Sequence, residues 1–503
     1  MGFGVARGFG AAFGFGAAAC GLGAAVGLAA AGVGAGAAAG ASTSAAGAGA
    51  ASATGASATG ASATGAASTT GAGPAVRGAG GGLEVRVQGL HARAAGGEAH
   101  GQGCCSQIIP VGESSLVPAV DGNDVTLTIN SGLQWYAQNS LAARIRDTGA
   151  KSGTVVIMDA KNGNLLSVAS YPTFDPNTDV GKKGAKLGNV AFSDVFEPGS
   201  TSKIMTIAAA LEEGTVTPST PVIIPNRLTR FDASFKDSHD HPTLYRTVAG
   251  TLAESSNIGT VLVSETMTSK TLESYFRKFG LGQRSGTGYP GEAKGLLSPS
   301  ETWSGTQAKT VAFGQGLSVT AIQAASVFQT IANGGVRVAP RLVESLTAAD
   351  GTVTPTPRSA TTRVVSEQTA NDVSKMLEGV VSGEGTAQEA MIPGYRVAGK
   401  TGTADYYDVA AKKYSGRTAS FIGYAPADDP QIVVAVIVHK PIQPFFGGPV
   451  AGPVFKDVAT YALQELKIPP TGAKPAEITI KVSPEEALAD PTLLRDGRKR
   501  SAG

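Results

Sequence analysis

Residues 123–468 of this 503-residue chain predict an α+β fold, with one antiparallel sheet built from both ends of the region and a lobe of helices beside it. Three patterns lead there. Two apolar runs, 155–159 and 165–170, are joined by Asn162-Gly163, a hairpin pattern. Near the other end, 418–425 alternates and 432–438 is continuously apolar, with Asp428-Asp429-Pro430 as the turn between them. Between these ends, helical spacing dominates from about 200 to 390. Roughly 350 residues is ample for a large core.

The chain before this region has a different character. From Met1 to Val76 the only charged residue is Arg7, alanine and glycine dominate, and Ala-Ser-Ala-Thr-Gly repeats three times from Ala51 to Gly65. Such a segment has too few large apolar side chains to offset its ordering entropy, so 1–106 is expected to be low-complexity and disordered. The stretch 10–40 is uncharged and long enough to span a membrane, but Leu, Ile, Phe and Val are sparse in it, which argues against a span. A lone Arg7 makes a poor basic start for a signal peptide. The change in composition near Cys104-Cys105 is abrupt, and a shifted reading frame or wrong start in a GC-rich gene is the expectation it raises.

Within the main region, 201–213 reads as a helix with Ile204, Ile207, Ala208 and Leu211 on one face, entered through Pro198-Gly199 and ended by Gly214. Further helices are predicted at 247–268, 271–279, 319–333, 366–382 and 454–466, and 395–399 reads as the start of a strand. The stretch 469–503, rich in proline and charge, is expected to be a flexible tail.

Three short motifs carry the chemistry. Ser200-Thr201-Ser202-Lys203 is the only S-x-x-K in the chain. Serine is a poor nucleophile and needs a base within hydrogen-bond reach, and on a helix positions three apart share a face. The positive end of the helix and burial both disfavour a charged amine, so Lys203 is expected to take the Ser200 proton without a histidine. Taken alone, Ser200 is equally well explained as a helix N-cap. Ser255-Ser256-Asn257 is the only S-x-N, in a short polar break that can present one hydroxyl and one amide to a cleft; alone it is an ordinary turn or cap. Lys400-Thr401-Gly402-Thr403 follows the predicted strand start. Lys400, Thr401 and Thr403 suit a carboxylate, and Gly402 leaves room for a substrate backbone to pair with the strand edge. Lys151-Ser152-Gly153 fits the same K-[ST]-G pattern but precedes the nucleophile and opens a plain hydrophobic strand, so it is assigned no role. The ordered triplet, with the later motifs about 55 and 200 residues after Ser200, is far more specific than any one motif.

With these motifs in this order the chain resembles the class B penicillin-binding proteins, the D,D-transpeptidases of peptidoglycan synthesis, and is most similar to the division-specific actinobacterial type. The likeness extends over Asp124 to Ile129, Gly153 to Pro172, Phe313 to Thr320, Ile331 to Gly335 and Thr418 to Pro426, and covers about 107–468. It implies a penicillin-binding/serine beta-lactamase-like fold in which Ser200 attacks the bond between two terminal D-alanines of a stem peptide. Lys203 would be the base, and Ser255 and Asn257 would relay protons and hold the substrate amide. Lys400, Thr401, Gly402 and Thr403 would bind the carboxylate end, with the backbone N–H groups of Ser200 and Thr403 as oxyanion donors. It further implies inhibition by beta-lactams, septal cell-wall synthesis, membrane-protein partners of the division machinery, a lipid-linked glycan polymerase, and an extracytoplasmic domain on a membrane anchor. No cofactor is implied. The family's pedestal motif is missing, and only 107–122 resembles the end of a pedestal. A serine beta-lactamase and a beta-lactam sensor share the acylation chemistry and remain the alternatives.

The formal net charge of +2 gives no support for nucleic-acid binding, and Arg495, Arg498, Lys499 and Arg500 read as a solvated basic tail. The three cysteines, Cys20, Cys104 and Cys105, all precede the catalytic region. His239-Asp240-His241 is the one cluster with metal-ligand character; it lacks further ligands at useful spacing, and a lid or substrate-channel loop is the better reading.

Overall fold

The computed structural model describes residues 122–175, 188–408 and 411–497, together with two short paired strands, Glu98–His100 and Ser114–Leu116. The expectations for 1–106 therefore lie almost wholly outside the described residues.

The central sheet has five strands, all antiparallel, in the spatial order Ala398–Asp408, Lys413–Ala425, Ile432–His439, Ser152–Asp159, Leu165–Tyr171. The expected sheet from both ends of the region is thus present, and the two ends meet where Ile432–His439 pairs with Ser152–Asp159. These two inner strands are buried on both faces, which explains why their sequences are continuously apolar rather than alternating. Each fully buried Val or Ile contributes about 1.5–3 kcal/mol. The hairpin turn is as the sequence indicates: Gly163 has φ +74°, and the Asp159 carboxylate accepts from the backbone N–H groups of Lys161 and Asn162. The strand Ala398–Asp408 lies at the edge of the sheet, with one side unpaired.

Helices Ser131–Thr148 and Gly447–Glu465 pack against this sheet. The second begins at Gly447, not near 454 as its two prolines suggest. Pro453 has no N–H, so the carbonyl four residues back, on Pro449, loses its helical partner. Arg144 supplies the replacement: its Nη2 donates to the Pro449 carbonyl and its Nε donates to that of Val450, the latter at 2.9 Å.

The helical lobe contains Lys203–Glu212, Val248–Ala253, Asn257–Ser264, Ser269–Lys278, Gly305–Ala312, Ala321–Ala332 and Glu367–Val381. The helix predicted over 247–268 is two helices, because Ser255 takes φ +63° between them. Small two-stranded sheets, among them Pro221–Ile224 with Leu244–Thr247, decorate this lobe; their strands are too short for the alternation to register in the sequence.

The tail requires a correction. Residues 477–494 fold back on the helical lobe instead of hanging free. Leu494 donates its N–H to the Pro221 carbonyl, Ile480 accepts from Thr247, and Ile480, Ala487 and Leu493 are buried. Gly250 is part of the reason: a Cβ there would collide with the Ile480 carbonyl. Proline and charge mask a few apolar residues that find a groove. Among the described residues, no helix is long and apolar enough to cross a membrane.

Candidate active site

The nucleophile motif starts with a sharp turn. Gly199 has φ +53°, and Gly199–Ser202 forms one 3₁₀ turn before the α-helix starts at Lys203. Gly314 holds this turn: its carbonyl accepts from Gly199 N at 3.0 Å, and a Cβ on it would collide with the Gly199 carbonyl and the Ser202 hydroxyl. The Thr201 and Ser202 hydroxyls bond back to Pro198 and Gly199, at 2.8 and 2.9 Å. Thr201 and Ser202 are therefore fixed structural members of the turn, while Ser200 is half-buried.

Lys203 is 0% exposed. Its Nζ donates to the Ser255 carbonyl at 2.5 Å and reaches the Ser255 hydroxyl at 3.3 Å. The left-handed backbone of Ser255 turns that carbonyl toward the amine. Burial pulls the Lys203 amine down from its usual range to about 7, against the opposing attraction of Asp237. A base poised near neutrality can accept a hydroxyl proton.

The second motif is a turn and a helix start together. Ser256 caps Asn257–Ser264 by accepting from Gly259 N at 2.9 Å. The Asn257 side-chain amide donates to the Lys236 carbonyl at 3.0 Å, which aims its oxygen away from that bond and leaves it as an acceptor. Asp237, just ahead of His239-Asp240-His241, grips this motif. It accepts from the Ser256 hydroxyl at 2.7 Å and from the backbone N–H groups of Asn257 and Ile258 at 2.5 and 3.0 Å. The nearby His239-Asp240-His241 residues take separate partners: His239 rests near the Phe446 ring, Asp240 pairs with Arg227, and His241 has Nδ1 at the Pro242 carbonyl and Nε2 beside Asp237. No cluster of three or more metal-ligating side chains occurs among the described residues.

The third motif lies on the edge strand. Gly402 is required by its immediate neighbours. A Cβ there would collide with the Ser420 hydroxyl on the paired strand and lie 3.0 Å from Thr201 Cγ2 and 3.1 Å from the Pro198 carbonyl. The absent side chain lets the strand close on the nucleophile turn; a Cβ on Gly199 would likewise sit 3.1 Å from Ala404 Cβ. Thr401 shares a 2.8 Å hydroxyl contact with Thr386, and Thr403 Oγ1 accepts from Gly447 N at 3.0 Å. Lys400 is 0% exposed, with Nζ 3.3 Å from the Thr401 carbonyl. Burial, and then the like charge of Lys203, hold the Lys400 amine well below the usual lysine range. Two desolvated lysines are thus near enough to repel each other, one carried by the helical lobe and one by the sheet. Lys151 and Ser152, of the second K-[ST]-G match, lie at the start of an inner strand, with Ser152 opposite His439.

Asp237, Gly314 and Thr386 are the members of the site that motif reading missed. Each is far in sequence from its partner, and nothing local marks its role, although Gly314 falls within the Phe313 to Thr320 likeness.

The chain is similar to known proteins in both sequence and fold. Residues 153–460 match the penicillin binding protein transpeptidase domain. Penicillin-binding protein PbpB of Mycolicibacterium smegmatis is 37% identical over 399 residues, covering 77% of this chain and 62% of that protein. The PbpB of Mycobacterium tuberculosis is 36% identical, with 59% of its length covered, so the chain spans about three fifths of these relatives. The probable peptidoglycan D,D-transpeptidase PenA of Neisseria flavescens is 32% identical, covering 72% of this chain and 88% of that protein. The crystal structure of penicillin binding protein 3 from Mycobacterium tuberculosis, complexed with ampicillin, superposes with a TM-score of 0.70 at 36% identity, covering 73% of this chain and 84% of that one. With an S-x-x-K turn packed against both an S-x-N cap and a K-T-G edge strand in this fold, the chain belongs to the penicillin-binding protein transpeptidase family.

Proposed function

We propose that this chain is a serine D,D-transpeptidase that cross-links peptidoglycan stem peptides in septal wall synthesis. The observation that carries the reading is the desolvated Lys203 amine, near neutral in pKa, bonded to Ser255 one helical turn from Ser200. Lys203 accepts the Ser200 proton as Oγ attacks the carbonyl between two terminal D-alanines. The backbone N–H groups of Ser200 and Thr403 receive the developing oxyanion, a contribution of about 3 kcal/mol per donor. The carbon–nitrogen bond then breaks, and the proton passes from Lys203 through the Ser255 hydroxyl to the leaving D-alanine amine. An acceptor amine from a second stem attacks the Ser200 ester, returns a proton along the same path, and leaves the cross-link.

Lys400, Thr401 and Thr403 hold the terminal carboxylate, and Asn257 Oδ1 accepts from a substrate amide. The unpaired side of Ala398–Asp408 allows the peptide to add as a further strand. Beta-lactams imitate the D-Ala-D-Ala end and acylate the same serine. Division-site membrane proteins and a lipid-linked glycan polymerase are the partners in this reading, with the catalytic domain outside the cytoplasmic membrane.

The reading is tested by supplying a peptide ending in D-Ala-D-Ala with a stem-peptide amine and following products by mass. Cross-linked peptide with release of one D-alanine supports it. Release of D-alanine to water alone, at a rate that ignores the acceptor, would make the chain a carboxypeptidase instead.

A further inference from the structure

The Asp237 carboxylate is committed to the S-x-N motif and to no other helix. Its two oxygens take the Ser256 hydroxyl and the N–H groups of Asn257 and Ile258, the first donors of that helix. On its outer side, His241 Nε2 lies 3.3 Å from Asp237 Oδ2, with both side chains largely buried at 14% and 11% exposed. His241 Nδ1 is 2.7 Å from the Pro242 carbonyl, so Nδ1 is the donor there. Ser255, immediately before this cap, is in the left-handed region and contacts Lys203 through both its carbonyl and its hydroxyl. The loop that carries Asp237 and the turn that carries Ser255 are thereby one hydrogen-bonded unit, built across 18 residues of chain from Asp237 to Ser255.

From this geometry we propose that Asp237 is a positioning residue for acylation: it fixes the Ser255–Asn257 turn against Lys203 and supplies the counter-charge for the ammonium formed when Lys203 takes the Ser200 proton. The inference rests on the proposed serine acylation. Its physical basis is the charge balance at the lysine. Lys203 starts uncharged in a dry site and gains a positive charge during the step; Lys400, across the site, opposes that charge, and Asp237 favours it. Among these charged groups, Asp237 is the one whose attraction grows as the proton moves, which is the condition for lowering a barrier. The same attraction holds Lys203 at higher basicity than burial alone would leave it, and a stronger base transfers protons faster.

The experiment uses the full chain and a fluorescent penicillin, with the acylation rate constant measured by stopped flow from pH 5 to 9. Wild type must acylate and S200A must not; failure there removes the underlying reading and leaves Asp237 out of the question. Given that control, D237N keeps an oxygen for the backbone donors and removes the charge. The expected result is a rate at pH 8 lower by about tenfold, unchanged pre-acylation affinity, and a lower limb displaced by about one pH unit toward acid, because Lys203 loses an attractive charge. D237E retains the charge and displaces the cap: its limb stays in place and its plateau falls. A D237N enzyme with the wild-type rate and limb overturns the proposal, and so does a slower one whose limb has not moved, since that is a purely structural effect. Should D237N fail to fold, a wild-type plateau in D237E overturns it equally.

Discussion

The side-chain amine of Lys203 is 2.5 Å from the carbonyl oxygen of Ser255 and 3.3 Å from its hydroxyl, with no water-exposed surface of its own. This contact joins the first motif to the second, and in the proposed mechanism Ser255 is the path by which a proton leaves the lysine. Because burial lowers the amine to about 7, the fraction able to act as a base rises as pH increases through that value. Acylation by a beta-lactam should therefore fall about tenfold per pH unit well below 7 and level off above it. Lys203→Met should abolish the pH-dependent limb along with nearly all acylation, measured as covalent fluorescence in a gel.

Lys400 makes a separate prediction. Burial and the neighbouring Lys203 hold its amine below the ordinary lysine range in the free site. A bound carboxylate brings the compensating charge and raises it again, so binding of a carboxylate-ended ligand should take up protons. Calorimetry on Ser200→Ala in two buffers of different ionisation enthalpy measures this. Net uptake rather than release is expected, and Lys400→Gln should remove it.

Gly314→Ala should damage the nucleophile turn although it touches no substrate. The glycine has φ +91°, and a Cβ would collide with the Gly199 carbonyl. A loss of about 3 kcal/mol in stability is expected, seen in denaturant unfolding, with acylation slowed in whatever protein remains folded.

Arg144→Met retains the aliphatic stem and removes the two donors that satisfy Pro449 and Val450. Leaving the Pro449 carbonyl without its partner should cost about 2 kcal/mol. Pairing it with Pro453→Ala, which restores the helical N–H, should recover much of that loss. Recovery in the double variant beyond the sum of the singles identifies the carbonyl as the shared cause.

Ending the chain at residue 476 removes Ile480, Ala487 and Leu493 from the groove they fill and takes Asp496 from Arg230. Loss of two large buried side chains corresponds to about 4 kcal/mol. Thermal unfolding of the shortened chain should begin well below that of the full one, although no residue of the active site is deleted.

The central fold was legible in the sequence because its inner strands are apolar throughout and its hairpin has a strict turn residue, Gly163. The three motifs were legible because Ser200 with Lys203, Ser255 with Asn257, and Lys400 with Thr403 each lie within one short segment. What escaped reading depends on contacts between distant segments. Gly402 is small on account of Ser420 and Thr201, Gly314 on account of Gly199, and Asp237 is needed at residues 256–258. The polar break at Ser255 was visible in the sequence, but that it separates two helices was not, because both flanking segments are good helices and a serine at positive φ has no compositional mark. The tail was misread for the converse reason: its few apolar residues are useful only beside the strands Pro221–Ile224 and Leu244–Thr247.

The most direct test of the account is the intact mass of the full chain after benzylpenicillin, taken over time beside Ser200→Ala. The account predicts one stable penicilloyl adduct, absent from the variant and mapped by peptide mass to the segment containing Ser200. An adduct that persists in Ser200→Ala, or a folded wild-type chain that gains no mass, would contradict it.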